Sequence, residues 1–260
     1  MIQTATSRDG VTIRFETHGT DAPALVFVHG WSCDRSYWES QVPFFSPRYQ
    51  VVTIDLGGHG ESGTGRSTWT MPSFGEDVAA VVNRLGPGPA VLIGHSMGGD
   101  VIVEAAVRLP GRIAGLVWVD TYRSLGKGRS PEEVERFAAP FRSDFPSSTR
   151  EFVRTMFPAS ADPGLVDRVV EDMASAPPEV ALSALEHAIS FKPEIVSSLP
   201  SLRLPFVAIN PDDGGPTDVE GLERYGIETV LLPGVGHFLM MEDPDAFNRA
   251  LAGVVERFAS

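Results

Sequence analysis

The stretch VLIGHSMGGD, residues 91–100, decides the fold of this chain of 260 residues. An apolar run of strand type leads into Ser96, which stands between glycines in the pattern G-x-S-x-G, and a helical pattern follows over 97–109. A sharp strand-to-helix turn strains the backbone of its central residue and lifts that side chain clear of the sheet. Ser96 is therefore predicted to be an exposed nucleophile.

A serine hydroxyl is a weak nucleophile at neutral pH and needs a general base. Of the six histidines, His237 is the best placed, because it follows the last predicted strand within PGVGHF (233–238). A loop at the carboxyl end of that strand can carry it over the sheet to Ser96. We therefore predict His237 as the base. We expect His95, which lies inside the strand-to-helix turn, to pack beneath that turn.

Two backbone N–H groups are predicted to stabilise a developing oxyanion. The amide of Met97 opens the helix after Ser96 and faces the same space as the serine oxygen. In FVHGWS (27–32), Gly30 lets the backbone approach a ligand closely, so the amide of Trp31 is the candidate for the second donor.

Short apolar segments alternate with helical patterns along most of the chain. Segments that are apolar on both faces are typical of parallel strands covered by helices. The predicted strands are 24–30, 49–56, 90–95, 114–120, 205–210 and 229–234, with an edge-type strand at 11–16. The predicted helices are 35–46, 73–85, 97–109 and 243–258. The pattern predicts an α/β fold with a doubly wound, mostly parallel sheet.

Residues 121–203 break this alternation and are predicted to form an inserted all-helical lid after the strand that ends at Asp120. Capping-box patterns at SPEE (130–133) and STRE (148–151) and helical patterns at 163–175 and 178–190 support this prediction. A single crossover needs only one helix. The core domain would then comprise residues 1–120 and 204–260.

The segments FVHGWS (27–32), VVTIDLGGHGESG (51–63), GHSMGG (94–99) and PGVGHF (233–238) resemble the α/β-hydrolase fold superfamily in order and spacing. The resemblance implies a serine hydrolase with the order of nucleophile, acid and histidine known for that fold, and a helical lid. It specifies the fold and the hydrolytic machinery, but not the substrate.

The acid that would orient His237 is where the sequence departs from the commonest pattern of the superfamily. That pattern places an aspartate a few residues after the strand 205–210 as H-G-x-x-D, whereas this chain reads NPDDGGPT (210–217). Asp120, Asp212 and Asp213 all stay open as the acid, with Asp120 placed first. Haloalkane dehalogenases of this fold are similar in carrying their acid at the position that matches Asp120.

Composition excludes several classes of partner. The net charge of −13 repels nucleic acid and anionic membranes, and no apolar run reaches transmembrane length. A single cysteine and the lack of a signal pattern favour the cytoplasm. No metal-ligand or dinucleotide motif is present, so a small-molecule substrate without a cofactor or metal is expected, and the oligomeric state stays open.

These features favour a serine hydrolase that cleaves a small or medium apolar ester or lactone through an acyl-enzyme on Ser96. A carbon–carbon bond hydrolase, a haloperoxidase-like perhydrolase and a non-catalytic or slow small-molecule binding protein remain alternatives. The carbon–carbon hydrolase would need a cation for a substrate carboxylate. Arg123, Lys127 and Arg129 follow Asp120 closely, although a solvated hinge is the simpler interpretation of these side chains.

Overall fold

The computed structural model describes residues 1–213 and 215–259; Gly214 and Ser260, which the predicted core domain includes, lie outside the described residues. Eight strands form one sheet in the order β1-β2-β4-β3-β5-β6-β7-β8. The strands are β1 (Ile2–Thr6), β2 (Thr12–His18), β3 (Ala24–Val28), β4 (Gln50–Ile54), β5 (Ala90–His95), β6 (Ile113–Val119), β7 (Phe206–Asp212) and β8 (Ile227–Pro233).

The sheet is parallel from β4 to β8, and the antiparallel pairs are β1 with β2 and β2 with β4. Every residue of β3 and β5 is buried, which explains why these strands are apolar on both faces. The predicted α/β fold with a mostly parallel, doubly wound sheet is confirmed.

Eleven α-helices are present among the described residues, and none of them is long and apolar enough to cross a membrane. They are α1 (Gln41–Phe45), α2 (Met71–Arg84), α3 (Met97–Arg108), α4 (Pro131–Ser143), α5 (Phe145–Arg154), α6 (Pro163–Ala174), α7 (Pro178–Ser190), α8 (Lys192–Ser198), α9 (Val219–Glu223), α10 (Leu239–Glu242) and α11 (Pro244–Ala259). Helix α3 packs on β3, β5 and β6 and also on α2, whereas α11 packs on β6, β7 and β8 and also on α1.

Helices α4 to α8 lie between β6 and β7, within the predicted insertion. The capping box at the start of α4 is present, because Ser130 Oγ accepts from the Glu133 amide at 3.3 Å and Glu133 Oε2 accepts from the Ser130 amide at 2.7 Å. The second predicted capping box, at 148–151, is wrong. The side chain that caps α5 is Asp144, four residues before Ser148, and Ser148 lies inside the helix.

Two other details differ from the sequence-based prediction. The helix predicted at 35–46 is divided into a short 3₁₀ turn, Arg35–Trp38, and α1, because the Asp34 side chain caps only the first piece. Strand β1 was not predicted; its segment IQTAT buries only Ala5 fully, so it carries little apolar signal, and pairing with β2 creates the strand.

Candidate active site

Ser96 occupies the turn between β5 and α3 with φ 52° and ψ −120°. A positive φ is uncommon outside glycine and costs conformational energy, so the surrounding structure must hold it. The Ser96 amide donates to the Val119 carbonyl of β6 at 2.9 Å, and the Ser96 carbonyl accepts from the Gly99 amide at 2.9 Å. The strained turn is thus fixed to the neighbouring strand and to the first turn of α3.

The glycines around Ser96 let strand, helix and neighbouring strand approach closely. A Cβ at Gly98 would lie 2.6 Å from the carbonyl oxygens of Val28 and His29, and a Cβ at Gly94 would overlap the Gly98 carbonyl. The G-x-S-x-G pattern is therefore a packing requirement of this turn as well as a sequence motif.

His237 donates its Nδ1 proton to Asp120 Oδ2 across 2.7 Å. Asp120 directly follows β6, has φ 42°, and donates its amide to the Ile209 carbonyl at 3.0 Å. Since the carboxylate fixes the proton on Nδ1, Nε2 is left free to accept one. Both His237 and Ser96 line the same cavity.

The environment of Asp120 keeps its carboxylate ionised. Burial opposes the charge, but the hydrogen bond from His237, the charge of His237 and the nearby Arg123 outweigh it and hold the pKa of Asp120 below its usual range. Arg123 Nε lies 3.3 Å from Asp120 Oδ1. The Arg123 guanidinium is itself held by both oxygens of Asp213, at 2.6 and 2.8 Å.

The other two candidate acids lie elsewhere. Asp212 is exposed at the last position of β7, and Asp213 is engaged with Arg123 and with the Gly215 amide. Among the described residues, Asp120 is the candidate carboxylate that contacts His237. Asp213 binds Arg123, which in turn contacts Asp120.

The backbone of His237 is fixed from three sides. Its amide donates to the Met156 carbonyl at 3.0 Å, and its carbonyl accepts from His95 Nε2 at 2.9 Å. Glu242 accepts from the amides of Gly236 and Phe238, at 2.9 and 3.0 Å. Burial, followed by the charge of His237, lowers the pKa of His95 to about 3, so His95 is neutral and donates through Nε2.

The backbone N–H groups of Trp31 and Met97 make no hydrogen bond within the described part of the chain. Both residues line the cavity with Ser96. A Cβ at Gly30 would lie 3.2 Å from Ser96 Cβ, so the loop before Trp31 passes directly beside the serine. Two unused donors therefore lie on residues that border the serine oxygen, as an oxyanion hole requires.

The cavity beside Ser96 has a volume of about 510 Å³. Apolar side chains between β6 and β7 line this cavity, among them Phe137, Phe152, Met156, Met173 and Leu185. Trp31 contacts the helices between β6 and β7, because its Nε1 donates to the Ala181 carbonyl at 2.7 Å and its ring meets Phe141 edge-on.

Two functional features escaped the sequence analysis. Lys192 lines the cavity although it lies far along the chain from every motif, and Glu242 caps the loop of His237. Glu242 had a local signal, since a carboxylate a few residues after G-V-G-H-F can reach back to exposed amides. Cys33 is buried, and burial raises the pKa of its thiol.

Comparison with known proteins gives consistent results. A model of the alpha/beta hydrolase family matches residues 25–250. The chain is 27% identical to 3-oxoadipate enol-lactonase 2 of Acinetobacter baylyi, over 98% of this chain and 97% of that protein. It is 39% identical to a bifunctional esterase/perhydrolase of Acinetobacter calcoaceticus, over only 40% of this chain and 39% of that protein.

A solved structure of a thermophilic esterase from Thermogutta terrifontis, in a malate-bound form, superimposes with a TM-score of 0.85 and 27% identity over the whole of both chains. The family match spans far more than half of this chain and includes both the strand-to-helix turn at Ser96 and the loop of His237. The chain is a hydrolase and belongs to the alpha/beta hydrolase family.

Proposed function

We propose that the protein is a serine hydrolase that cleaves a small or medium ester or lactone through an acyl-enzyme on Ser96. The observation that carries the proposal is the 2.7 Å hydrogen bond between His237 Nδ1 and Asp120, beside a strained Ser96 in the same cavity. This is the arrangement of nucleophile, base and orienting acid needed to activate a serine.

In the proposed reaction, Ser96 Oγ attacks the substrate carbonyl carbon while His237 Nε2 takes the hydroxyl proton. The amides of Trp31 and Met97 donate to the oxyanion of the tetrahedral intermediate. His237 then gives its proton to the leaving alkoxide, and the carbon–oxygen bond breaks. Water repeats the sequence on the acyl-enzyme, so that the carboxylic acid leaves and Ser96 recovers its proton.

Asp120 and the strained turn have distinct parts in this scheme. Asp120 keeps the Nδ1 proton of His237 in place and stabilises the imidazolium that forms when Nε2 is protonated. The strain at Ser96 is maintained by its hydrogen bonds to Val119 and Gly99, so the oxyanion donors need no rearrangement during the reaction. Each oxyanion donor contributes about 3 kcal/mol to the barrier in enzymes of this type.

The insertion acts, in this proposal, as a lid over the site, with residues 121–203 as its extent. Its support is that Phe137, Phe152 and Met156 line the cavity above Ser96 and that the Met156 carbonyl accepts from the His237 amide. The cavity volume is in the range of small-molecule sites. The names of the relatives, an enol-lactonase and an esterase, agree with an ester or lactone as substrate.

A perhydrolase side activity is the second candidate, favoured by the match to the bifunctional esterase/perhydrolase. In that reaction hydrogen peroxide replaces water as the acceptor of the acyl group and the product is a peracid. The same acyl-enzyme serves both reactions, so the two are separated by adding peroxide and measuring peracid. A cytoplasmic location and the absence of nucleic-acid partners remain predictions from composition.

The test is labelling with a fluorophosphonate together with hydrolysis of short-chain p-nitrophenyl esters. We expect the wild type to be labelled and active, and Ser96→Ala to be neither. A binding protein without catalysis would take no label and hydrolyse none of the esters. Activity that survives in Ser96→Ala would refute the acyl-enzyme on this residue.

A further inference from the structure

The chain has 21 lysines and arginines, but only two of them are lysines, Lys127 and Lys192. Both lysines line the cavity beside Ser96, and Arg129 lines it as well. Lysines are ordinarily spread over a protein surface. Three cations therefore converge on the cavity of Ser96 in a chain whose net charge is −13, and a positive site in such a chain attracts an anion.

These cations are not neutralised by the protein. Within residues 1–213 and 215–259, neither lysine nor Arg129 forms an ion pair, in contrast to Arg123 beside them, which binds both Asp120 and Asp213. The ammonium of Lys192 lies 5.3 Å from the centre of the Tyr122 ring, and the Arg129 guanidinium lies 4.9 Å from that of Phe137. Aromatic faces orient a cation but leave its charge available to an anion.

Lys192 is also close enough to Arg129 for the two charges to repel. Burial of the half-buried Lys192, followed by the charge of Arg129, lowers the pKa of its ammonium. Two like charges at the wall of an apolar cavity are unfavourable in the empty site. A bound anion would remove that repulsion, so the arrangement stores part of the binding energy of such a ligand.

The carboxyl group of Asp100, which lines the cavity near Lys192, does not supply a full counter-charge. Asp100 lines the same cavity, is 3% exposed, and shares a 2.8 Å hydrogen bond with the Tyr122 hydroxyl. Burial raises the pKa of Asp100 to about 8, so this group is mostly protonated at neutral pH. Asp100 therefore leaves most of the positive charge in the cavity available to a ligand at neutral pH.

We propose that the substrate carries a carboxylate in addition to its ester or lactone carbonyl, and that Lys192, with Lys127 and Arg129, binds that carboxylate. This inference rests on the proposed function and narrows the class of substrate. The cavity walls accept an apolar chain, and one end of the cavity accepts an anion. The sequence favoured an apolar ester or lactone; it offered Lys127 and Arg129 as partners of a substrate carboxylate only for the alternative carbon–carbon hydrolase, and a solvated hinge was the simpler interpretation. Their side chains are exposed, yet they border the cavity.

The first experiment compares p-nitrophenyl hydrogen adipate with a neutral isostere in which an isopropyl group replaces the free carboxylate. Both esters have the same leaving group and chain length, so the ratio of their kcat/KM values isolates the charge. We expect the wild type to favour the anionic ester by at least about tenfold, as a charge-assisted contact in a partly buried site provides. Lys192→Met is expected to lower this ratio by about tenfold, with the change in KM rather than kcat.

Arg249→Met is the matched control. It removes one positive charge from an exposed position of α11 that does not line the cavity, and the ratio should stay at the wild-type value. The inference would be overturned if the wild type hydrolysed both esters with similar kcat/KM, or if Arg249→Met lowered the preference for the anionic ester as much as Lys192→Met does. Activity on both esters with no preference would leave the proposed hydrolase intact and refute only the carboxylate site.

The second experiment needs no turnover. Reductive methylation of Ser96→Ala with isotope-labelled formaldehyde gives NMR signals from two lysine side chains and the N-terminus, and it keeps their charge. Lys192→Arg and Lys127→Arg assign the two signals by removing one each. Monomethyl adipate should shift the Lys192 signal, and dimethyl adipate should shift it much less.

If neither lysine signal responds to monomethyl adipate, or if both adipate esters shift the Lys192 signal equally, the cavity does not bind a carboxylate. If the signal responds as expected but wild type hydrolyses no ester and takes no fluorophosphonate, the carboxylate site stands and the proposed serine hydrolase is wrong. The two proposals thus fail by different observations.

Discussion

Asp120→Asn changes one atom of the proposed triad and leaves its size unchanged, but the surroundings dictate how the new amide lies. Arg123 Nε donates toward Asp120 Oδ1 at 3.3 Å, and Asp213 holds the guanidinium in place. The amide NH₂ cannot face a donor, so the amide oxygen must face Arg123 and the NH₂ must face His237. His237 Nδ1 then has to accept, which moves its proton to Nε2.

A histidine protonated on Nε2 cannot take the proton of Ser96. In the serine-protease template, the same wrong tautomer lowers kcat by about ten-thousand-fold. That factor corresponds to about 5.5 kcal/mol, since each tenfold change in rate is about 1.4 kcal/mol. We expect a loss of this size in kcat for p-nitrophenyl acetate, with little change in melting temperature.

If the orientation of the new amide in Asp120→Asn causes the loss of activity, removing the Arg123 guanidinium should restore part of that activity. In the double variant Asp120→Asn with Arg123→Met, nothing prevents the amide oxygen from turning to His237. Activity should therefore rise at least about tenfold above that of Asp120→Asn, although Arg123→Met alone lowers activity. Asp212→Asn is the matched control, because Asp212 is an exposed aspartate on the adjacent strand. A double variant no more active than Asp120→Asn, or a comparable loss in Asp212→Asn, would refute the reasoning.

Three further outcomes are expected. Glu242→Gln weakens two charge-assisted hydrogen bonds and should lower the free energy of unfolding by about 1–3 kcal/mol in urea titrations, together with kcat. Burial lowers the pKa values of His29, His59 and His95 to about 4, 3 and 3, from 6.5 when unfolded. Below about pH 6.5 these histidines bind protons in the unfolded chain but not in the folded protein. The free energy of unfolding should therefore fall by about 1.4 kcal/mol per pH unit for each histidine as the pH decreases. His59→Asn should reduce that slope in urea titrations. Burial raises the pKa of Asp100 to about 8, so the contribution of this carboxyl group to stability falls as the pH rises from 3.8 to 8. The melting temperature of Asp100→Asn relative to that of the wild type should therefore be higher at pH 8 than at pH 5. An unchanged difference between the two pH values would contradict the buried, protonated state of Asp100.

The sequence predicted the parts of the fold that depend on local pattern. The apolar runs of β3 and β5 and the G-x-S-x-G turn are local features, and their structures follow from a few adjacent residues. Strand β1 depends on its partner rather than on its own composition, and the start of α5 depends on the competition between Asp144 and Ser148 as caps. Such choices are made by tertiary context, which a pattern does not contain.

The acid could not be selected from the sequence because its identity depends on three loops at once. Asp120, Asp212 and Asp213 all lie at the carboxyl ends of adjacent strands, β6 and β7. Which one meets His237 depends on where Arg123 goes: its side chain engages both oxygens of Asp213 and leaves one oxygen of Asp120 for the histidine. Lys192 was missed for a similar reason, since only the packing of α8 brings it to the cavity.

The separation of β8 from β5 in the sheet explains why the loop of His237 is so heavily supported. Ser96 and Asp120 follow β5 and β6, which are neighbours, whereas His237 follows β8, two strands beyond β6. Strands lie about 4.8 Å apart, so the loop of His237 must cross β7 and β6 to bring Nε2 toward Ser96. Ordering a loop over that distance costs conformational entropy, and hydrogen bonds with His95, Met156 and Glu242 fix the loop in place.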